Sequence, residues 1–402
     1  MGKQKGCNIM EQIIQSTLDT DLYKFTMQQA VLELYPDANA EYRFKNRGNQ
    51  RFTKDFVVEL QKQIFRMNEI KLSAHDAIYL KTHCPYLKNW YIDYLLNYCF
   101  HSAQVRVGLD SESDLVVNID GPWSSTILWE VPLMATISEL YFKMIDTNWD
   151  NTIDITKQAM DKSVKLGENL AFFADFGTRR RRSFEIQEKV VYGLLKGNKN
   201  NCFVGTSNLY LAKEFGIKPI GTMGHEWIQA ISALESLRHA NKFALDNWIK
   251  VYGGRLGIAL TDTYTTDSFL KDFDMKRAKL YDGVRQDSFS PYVFTDKIVN
   301  HYEKLKIDPM SKTIIFSDSL DVTKAIEIKN YCEGKIKCSF GIGTHFSNDF
   351  SNSPALNIII KLWSINNIPV VKLSDDPGKE NGEQDAIQIA KWIFLNQSLD
   401  SV

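Results

Sequence analysis

Ala171-Phe172-Phe173-Ala174-Asp175-Phe176-Gly177-Thr178 is followed at once by four arginines, Arg179 to Arg182. The apolar run reads as a buried strand and the glycine as its end, so cationic side chains are delivered to a strand terminus. Ile186, Val190, Val191 and Leu194 then fall on one face of a helix whose positive N-terminal end is expected to point at the same spot. A forked guanidinium suits phosphate or carboxylate, which makes this turn a candidate anion site. The competing reading is a solvated basic turn, since charge runs usually lie at the surface; it could absorb any two of these arginines but not all of them.

Outward from that turn, apolar runs at 171–176, 202–205, 218–222, 256–262, 282–287, 313–318 and 337–342 alternate with helical stretches. Strand–helix alternation implies parallel strands. Seven such units are one short of a closed eight-stranded barrel, which predicts an incomplete α/β barrel, with an open doubly wound sheet as the alternative. Polar residues and glycines gather where the strands end: Gly177 and Arg179, Thr206 and Ser207, Thr222 and His225, Asp262, Arg285 and Asp287, Asp318, then Gly341 and Gly343. Barrels carry active sites on that face.

Upstream, Asp19-Thr20-Asp21 offers N-caps to a helix with Tyr23, Met27, Ala30 and Leu34 at helical spacing. Gly121-Pro122-Trp123 is expected to break a strand at 115–119, and Ile127 to Met144 reads as a helix despite Pro132. The tail adds strand-like runs at 357–360 and 370–373 and a last helix. The predicted fold class is therefore α/β: an N-terminal α+β domain (1–165) packed against an incomplete, seven-stranded α/β barrel (166–353) that carries the active site. Strands and a helix at 354–402 are assigned to complete the N-terminal domain.

Composition narrows the function. A chain of 402 residues, 44% hydrophobic and 12% aromatic, fills a sizeable core. Its net charge of −1 offers no general field for nucleic acid, so anion selectivity must be local. The six cysteines and seven histidines show no zinc spacing, which suits reduced thiols in the cytoplasm. No apolar run approaches the ~18 residues of a membrane span, and Met1 to Gly6 carries no leader or lipidation signal.

Particular residues suggest chemistry. Phe340-Gly341-Ile342-Gly343-Thr344 has the composition of a backbone cradle for phosphate, though a tight turn has the same one. Asp287 and Asp318 end neighbouring strands, where they could bind sugar hydroxyls or hold Mg²⁺ through water; Asp318, with Ser319 and Leu320 following, could instead merely cap a helix. His225, between small residues and Glu226, is a candidate nucleophile or proton relay. Tyr23 is open between core residue and ligand platform.

Six phrases in one order resemble the nicotinate phosphoribosyltransferases: the arginine turn itself, Leu18 to Lys24, Ile127 to Leu133, Phe203 to Asn208, Gly257 to Asp262, and Ser339 to Thr344. The resemblance implies joining of nicotinate to 5-phosphoribosyl 1-diphosphate with Mg²⁺, coupled to ATP hydrolysis as in a ligase, for NAD salvage. It implies that Tyr23 and Phe176 sandwich the pyridine ring, with Arg179 meeting nicotinate or diphosphate and Thr206, Ser207, Thr222 and Arg285 nearby. It puts Gly341, Gly343 and Thr344 around the sugar phosphate, Asp287 and Asp318 near the ribose, and a phosphohistidine at His225; no side chain is assigned as a dedicated metal ligand. A homodimer with shared sites is raised by resemblance only.

One phrase departs. Where the family reads Arg-x-Asp-Ser-Gly-Asp-Pro, this chain has Arg285-Gln286-Asp287-Ser288-Phe289-Ser290-Pro291, and phenylalanine does not easily take the φ > 0 open to glycine. The alternatives are the related nicotinamide enzyme, in which the resemblance suggests an aspartate where this chain has Ser207, a non-catalytic relative, and a nucleic-acid-binding module. Ser207 favours the acid over the amide, and the charge balance argues against the last.

Overall fold

A computed structural model describes residues 10–376 and 378–395. Cys7 and the Met1 to Gly6 start lie outside the described residues. Among these, eleven strands occur: β1 (Asn39–Asn46), β2 (Val105–Leu109), β3 (Leu115–Pro122), β4 (Phe173–Asp175), β5 (Phe203–Thr206), β6 (Ile258–Leu260), β7 (Gly283–Gln286), β8 (Thr313–Phe316), β9 (Lys337–Ile342), β10 (Ile358–Ile365) and β11 (Ile368–Pro369). They form a five-stranded sheet in the order β11-β10-β1-β3-β2 and a six-stranded sheet in the order β5-β4-β9-β8-β7-β6.

The first sheet is antiparallel and unites the two ends of the chain. β10 lies beside β1, with Ala40 opposite Ile365 and Asn46 opposite Ile358. Ile358, Ile360 and Leu362 alternate inward, the period expected of a strand with one face on a core. β3 runs through Gly121 to Pro122 rather than breaking before them, because Pro122 takes the last register position, opposite Asn39. The following helix starts as a 3₁₀ turn at Ile127–Trp129 and is α-helical over Glu130–Met144, so Pro132 sits in the first turn, where a missing N–H costs least.

The second sheet is parallel and is the incomplete barrel. Six of the seven expected strands form; the stretch 218–222 makes only a bridge between Pro219 and Thr206. Proline has no N–H for a second ladder. Toward β6 this segment offers a side chain instead, Thr222 Oγ1 donating to the Ile258 carbonyl at 3.2 Å, and the barrel is open there. The run 370–373 is not a strand either. Lys372 bridges Asn381, and Leu373 N–H donates to Thr263 O at 2.8 Å, so the segment straps back across the barrel's strand ends.

Candidate active site

The four arginines have two fates. Arg181 is buried and forms a fork with Asp19, Nη1 and Nη2 each 2.7 Å from a carboxylate oxygen. Arg182 is buried too, donating to Ser353 Oγ at 2.7 Å, with its guanidinium 3.5 Å from the Phe142 ring centroid and 4.3 Å from that of Phe350. Neither is solvated and neither is free for a ligand, which corrects both readings of the run: half of it is internal scaffolding. Arg179 remains 41% exposed in its side chain. Behind it stand Glu130 Oε1 at 3.6 Å from Nη1 and Asp21 Oδ2 at 3.9 Å from Nε. Both distances exceed a hydrogen bond, so the fork is oriented but not consumed. Arg180 beside it is pushed down to about 10 by burial and then by the Arg179 charge.

One ring stands beside the Arg179 guanidinium, and a second packs on β9. Tyr23, in the helix Leu22–Leu34, has its centroid 6.0 Å from the Arg179 guanidinium. Phe176 donates its N–H to Ile342 O at 2.8 Å, and its ring lies against Gly341 of β9. A Cβ at Gly341 would sit 2.2 Å from Phe176 Cε2, and one at Gly224 3.2 Å from Tyr23 Cε2. Gly341 thus seats the Phe176 ring. Gly343 caps the short helix Thr344–Ser347, where Thr344 O accepts from Asn348 N.

His225 opens the helix His225–Leu234, buried, with Nε2 2.8 Å from Asp262 Oδ1 and 3.7 Å from Asp287 Oδ2. Asp262 Oδ2 meets Lys372 Nζ at 2.8 Å and accepts from Ser288 Oγ at 2.7 Å. Burial, then the Lys372 charge, push the imidazole down to about 4, against the pull of Asp262. Burial alone would raise the Asp262 carboxyl, but Lys372 and His225 hold it well below the ordinary range. The same holds more mildly for Asp287, where Arg285 and then His225 oppose burial. A neutral imidazole beside an ionised carboxylate means that Nε2 carries the proton and donates it to Asp262.

The other expected residues divide. Arg285 donates to Met223 O at 3.2 Å and stands 3.9 Å from Asp287, whose Oδ1 accepts from Ser317 Oγ at 2.7 Å. Asp318 accepts from Ser319 Oγ at 3.0 Å, and burial raises its carboxyl. Thr206 does not face the cleft: its hydroxyl donates to buried Asp175 at 2.8 Å. Ser207 Oγ donates to Asp21 Oδ1 at 2.7 Å, so it holds the carboxylate behind Arg179. Asp21 is accordingly the N-cap of its helix by position only, with no capping side-chain bond.

Phe289 overturns the expectation for its loop. It adopts φ 70, a conformation that favours glycine, held by its N–H on Asp376 Oδ1 at 3.0 Å and by Gln286 Nε2 on its carbonyl at 2.9 Å. Such strain costs about 1–2 kcal/mol and persists only where neighbours enforce it.

Sequence reasoning passed over Lys24, Glu130, Glu226, Lys361 and Lys372. The signal was charge inside apolar runs: Glu130 between Trp129 and Val131, Lys361 between Ile360 and Leu362, and Lys372 between Val371 and Leu373. Lys361 on β10 faces Glu130 and Arg179, and burial pushes its amine down to about 8.

An open parallel barrel whose strand ends join an oriented arginine, two aromatic rings and a buried histidine–aspartate pair defines an enzyme that handles flat, anionic substrates. Residues 172–398 match the nicotinate phosphoribosyltransferase (NAPRTase) family, and residues 18–138 match the N-terminal domain of the same family. The chain is 50% identical to the nicotinate phosphoribosyltransferase of Methanosarcina mazei, over 96% of this chain and 100% of that one. It is 49% identical to that of Methanosarcina acetivorans at the same coverages. The crystal structure of the Porphyromonas gingivalis nicotinate phosphoribosyltransferase superposes with a TM-score of 0.91 at 41% identity, covering 94% of this chain and 99% of that one. The chain belongs to the nicotinate phosphoribosyltransferase family.

Proposed function

We propose that this enzyme forms nicotinate mononucleotide and diphosphate from nicotinate and 5-phosphoribosyl 1-diphosphate, coupled to ATP hydrolysis through a phosphohistidine at His225. The observation that carries this is Arg179: two carboxylates beyond hydrogen-bond distance orient a half-exposed fork beside the Tyr23 ring. A carboxylate-bearing aromatic ring fits that pair by charge and stacking together.

In this reading Tyr23 and Phe176 hold the pyridine so that its nitrogen faces the anomeric carbon, with Thr222 and Arg285 beside it. Gly341, Gly343 and Thr344 take the sugar phosphate, and Asp287 and Asp318 the ribose. The leaving diphosphate departs from an oxocarbenium-like state, so the site works by orientation and charge stabilisation rather than by a protein nucleophile on the sugar. At His225 the proton on Nε2 is held by Asp262, which leaves the Nδ1 lone pair to attack the γ-phosphorus as ADP departs. Mg²⁺, when bound, would offset the diphosphate charge. Asp287 fits it, since its Oδ2 lies beyond hydrogen-bond distance of both His225 and Arg285 and carboxylate oxygen is the donor Mg²⁺ prefers.

The same proposal divides the chain at 165 and 353, with the pairing of β10 and β1 supporting assignment of the tail to the first unit. A cytoplasmic setting also belongs to it; among the described residues no helix is long and apolar enough to cross a membrane. The test is a product assay for nicotinate mononucleotide with and without ATP. Absence of product in both would remove the reading, and equal yield in both would remove the coupling.

A further inference from the structure

A buried ionic chain joins the arginine turn to the histidine helix. Lys24 is fully buried, its ammonium 2.5 Å from Glu130 Oε2 and in contact with Glu226 Oε2. Glu226 Oε1 accepts from the Tyr42 hydroxyl at 2.5 Å and from Trp123 Nε1 at 2.8 Å. At the other end Glu130 Oε1 stands 3.6 Å from Arg179. Buried ion pairs of this kind are poor stabilisers, because apolar residues of equal volume avoid the desolvation cost, so stability alone does not account for the arrangement. What the chain does have is functional neighbours at each end. Arg179 is one, and Glu226 follows His225 in the first turn of its helix.

We propose that Lys24, Glu130 and Glu226 are positioning residues that couple the state of His225 to the anion affinity of Arg179. The proposal rests on the phosphohistidine reading above. Phosphorylation places a charge of about −2 on the imidazole. Glu226 is fixed by donors from Lys24, Tyr42 and Trp123, so the first helical turn cannot shift without moving Lys24 or giving up one of the other bonds. Moving Lys24 changes its hold on Glu130. A Glu130 carboxylate drawn toward Arg179 competes with a ligand anion, whereas one drawn toward Lys24 releases the guanidinium for it. Tyr23, the residue before Lys24 in the same helix, moves with it.

The test compares nicotinate affinity before and after phosphorylation by γ-labelled ATP, using titration calorimetry on the full-length enzyme. Glu130→Gln keeps the side-chain shape and an acceptor for Lys24 but removes the charge behind Arg179. Lys24→Met is the harsher variant, with thermal melting as its folding control. The wild-type states should differ by about tenfold, and those of Glu130→Gln by less than about threefold, with phosphate uptake retained. An unchanged ratio overturns the coupling, as does a variant that weakens both states equally, which is what a merely structural role would produce. A wild-type enzyme that takes up no acid-labile phosphate sinks the phosphohistidine reading, and this proposal with it; an intact phosphoenzyme with an unchanged ratio sinks the coupling alone.

Discussion

Arg179 and Arg181 are separated by one residue and share one chemistry, yet one faces the cleft and the other is built into the wall. The difference lies in their carboxylates. Asp19 meets Arg181 with both oxygens at 2.7 Å, while Asp21 and Glu130 stay 3.9 and 3.6 Å from Arg179. A guanidinium whose forked edge is taken by a buried carboxylate has no fork left for a ligand, so pairing distance separates scaffold from site where charge does not.

Arg181→Ala attacks the inner half of that comparison. It leaves Asp19 buried and uncompensated, which should cost about 3–5 kcal/mol in chemical denaturation. A loss below 1 kcal/mol would mean that the fork is dispensable and the contrast is one of exposure alone.

His225 asks whether a buried, tightly paired group can also be a working one. Its pKa falls from an ordinary 6.5 to about 4 on folding, so the unfolded chain binds the extra proton between those values. Its contribution, about 3 kcal/mol, is therefore complete above pH 6.5 and lost as the pH falls toward 4. Stability measured against pH should show that slope in the wild type and lose it in His225→Gln; parallel profiles would place the imidazole in a wetter setting.

The outer half is tested by Arg179→Lys. An ammonium cannot reproduce the fork, so kcat/KM should fall at least about tenfold, near 1.4 kcal/mol, with an unchanged melting temperature. If stability falls along with activity, Arg179 is scaffold like its neighbours.

The smallest effect is expected at Phe289→Gly. Relief of φ 70 should stabilise the protein by about 1 kcal/mol at unaltered activity. A fall in activity would give the Phe289 ring a role in the cleft.

Much of the fold was legible in the chain because strand formation follows local apolar runs and their turns. Six of the seven expected barrel strands stand within a few residues of their predicted bounds. The seventh failed for a local reason, Pro219, that the apolar content of 218–222 concealed. The positions of His225, Arg179, Tyr23 and Phe176 could be marked from strand ends, glycines and family resemblance. Their states could not. Whether an arginine is free or consumed depends on Asp19, Asp21 and Glu130, residues remote in sequence and adjacent only after folding. Ser207 could be placed near a substrate carboxylate, but only packing turned its hydroxyl onto Asp21. Lys372 lay in a run that read as a strand, and the strap it belongs to brings its amine to Asp262 and helps keep His225 neutral. Local periodicity determines which segments can be strands and where they end; charge state, pairing and accessibility are set by desolvation and by partners from other elements, and these exist only in the assembled structure.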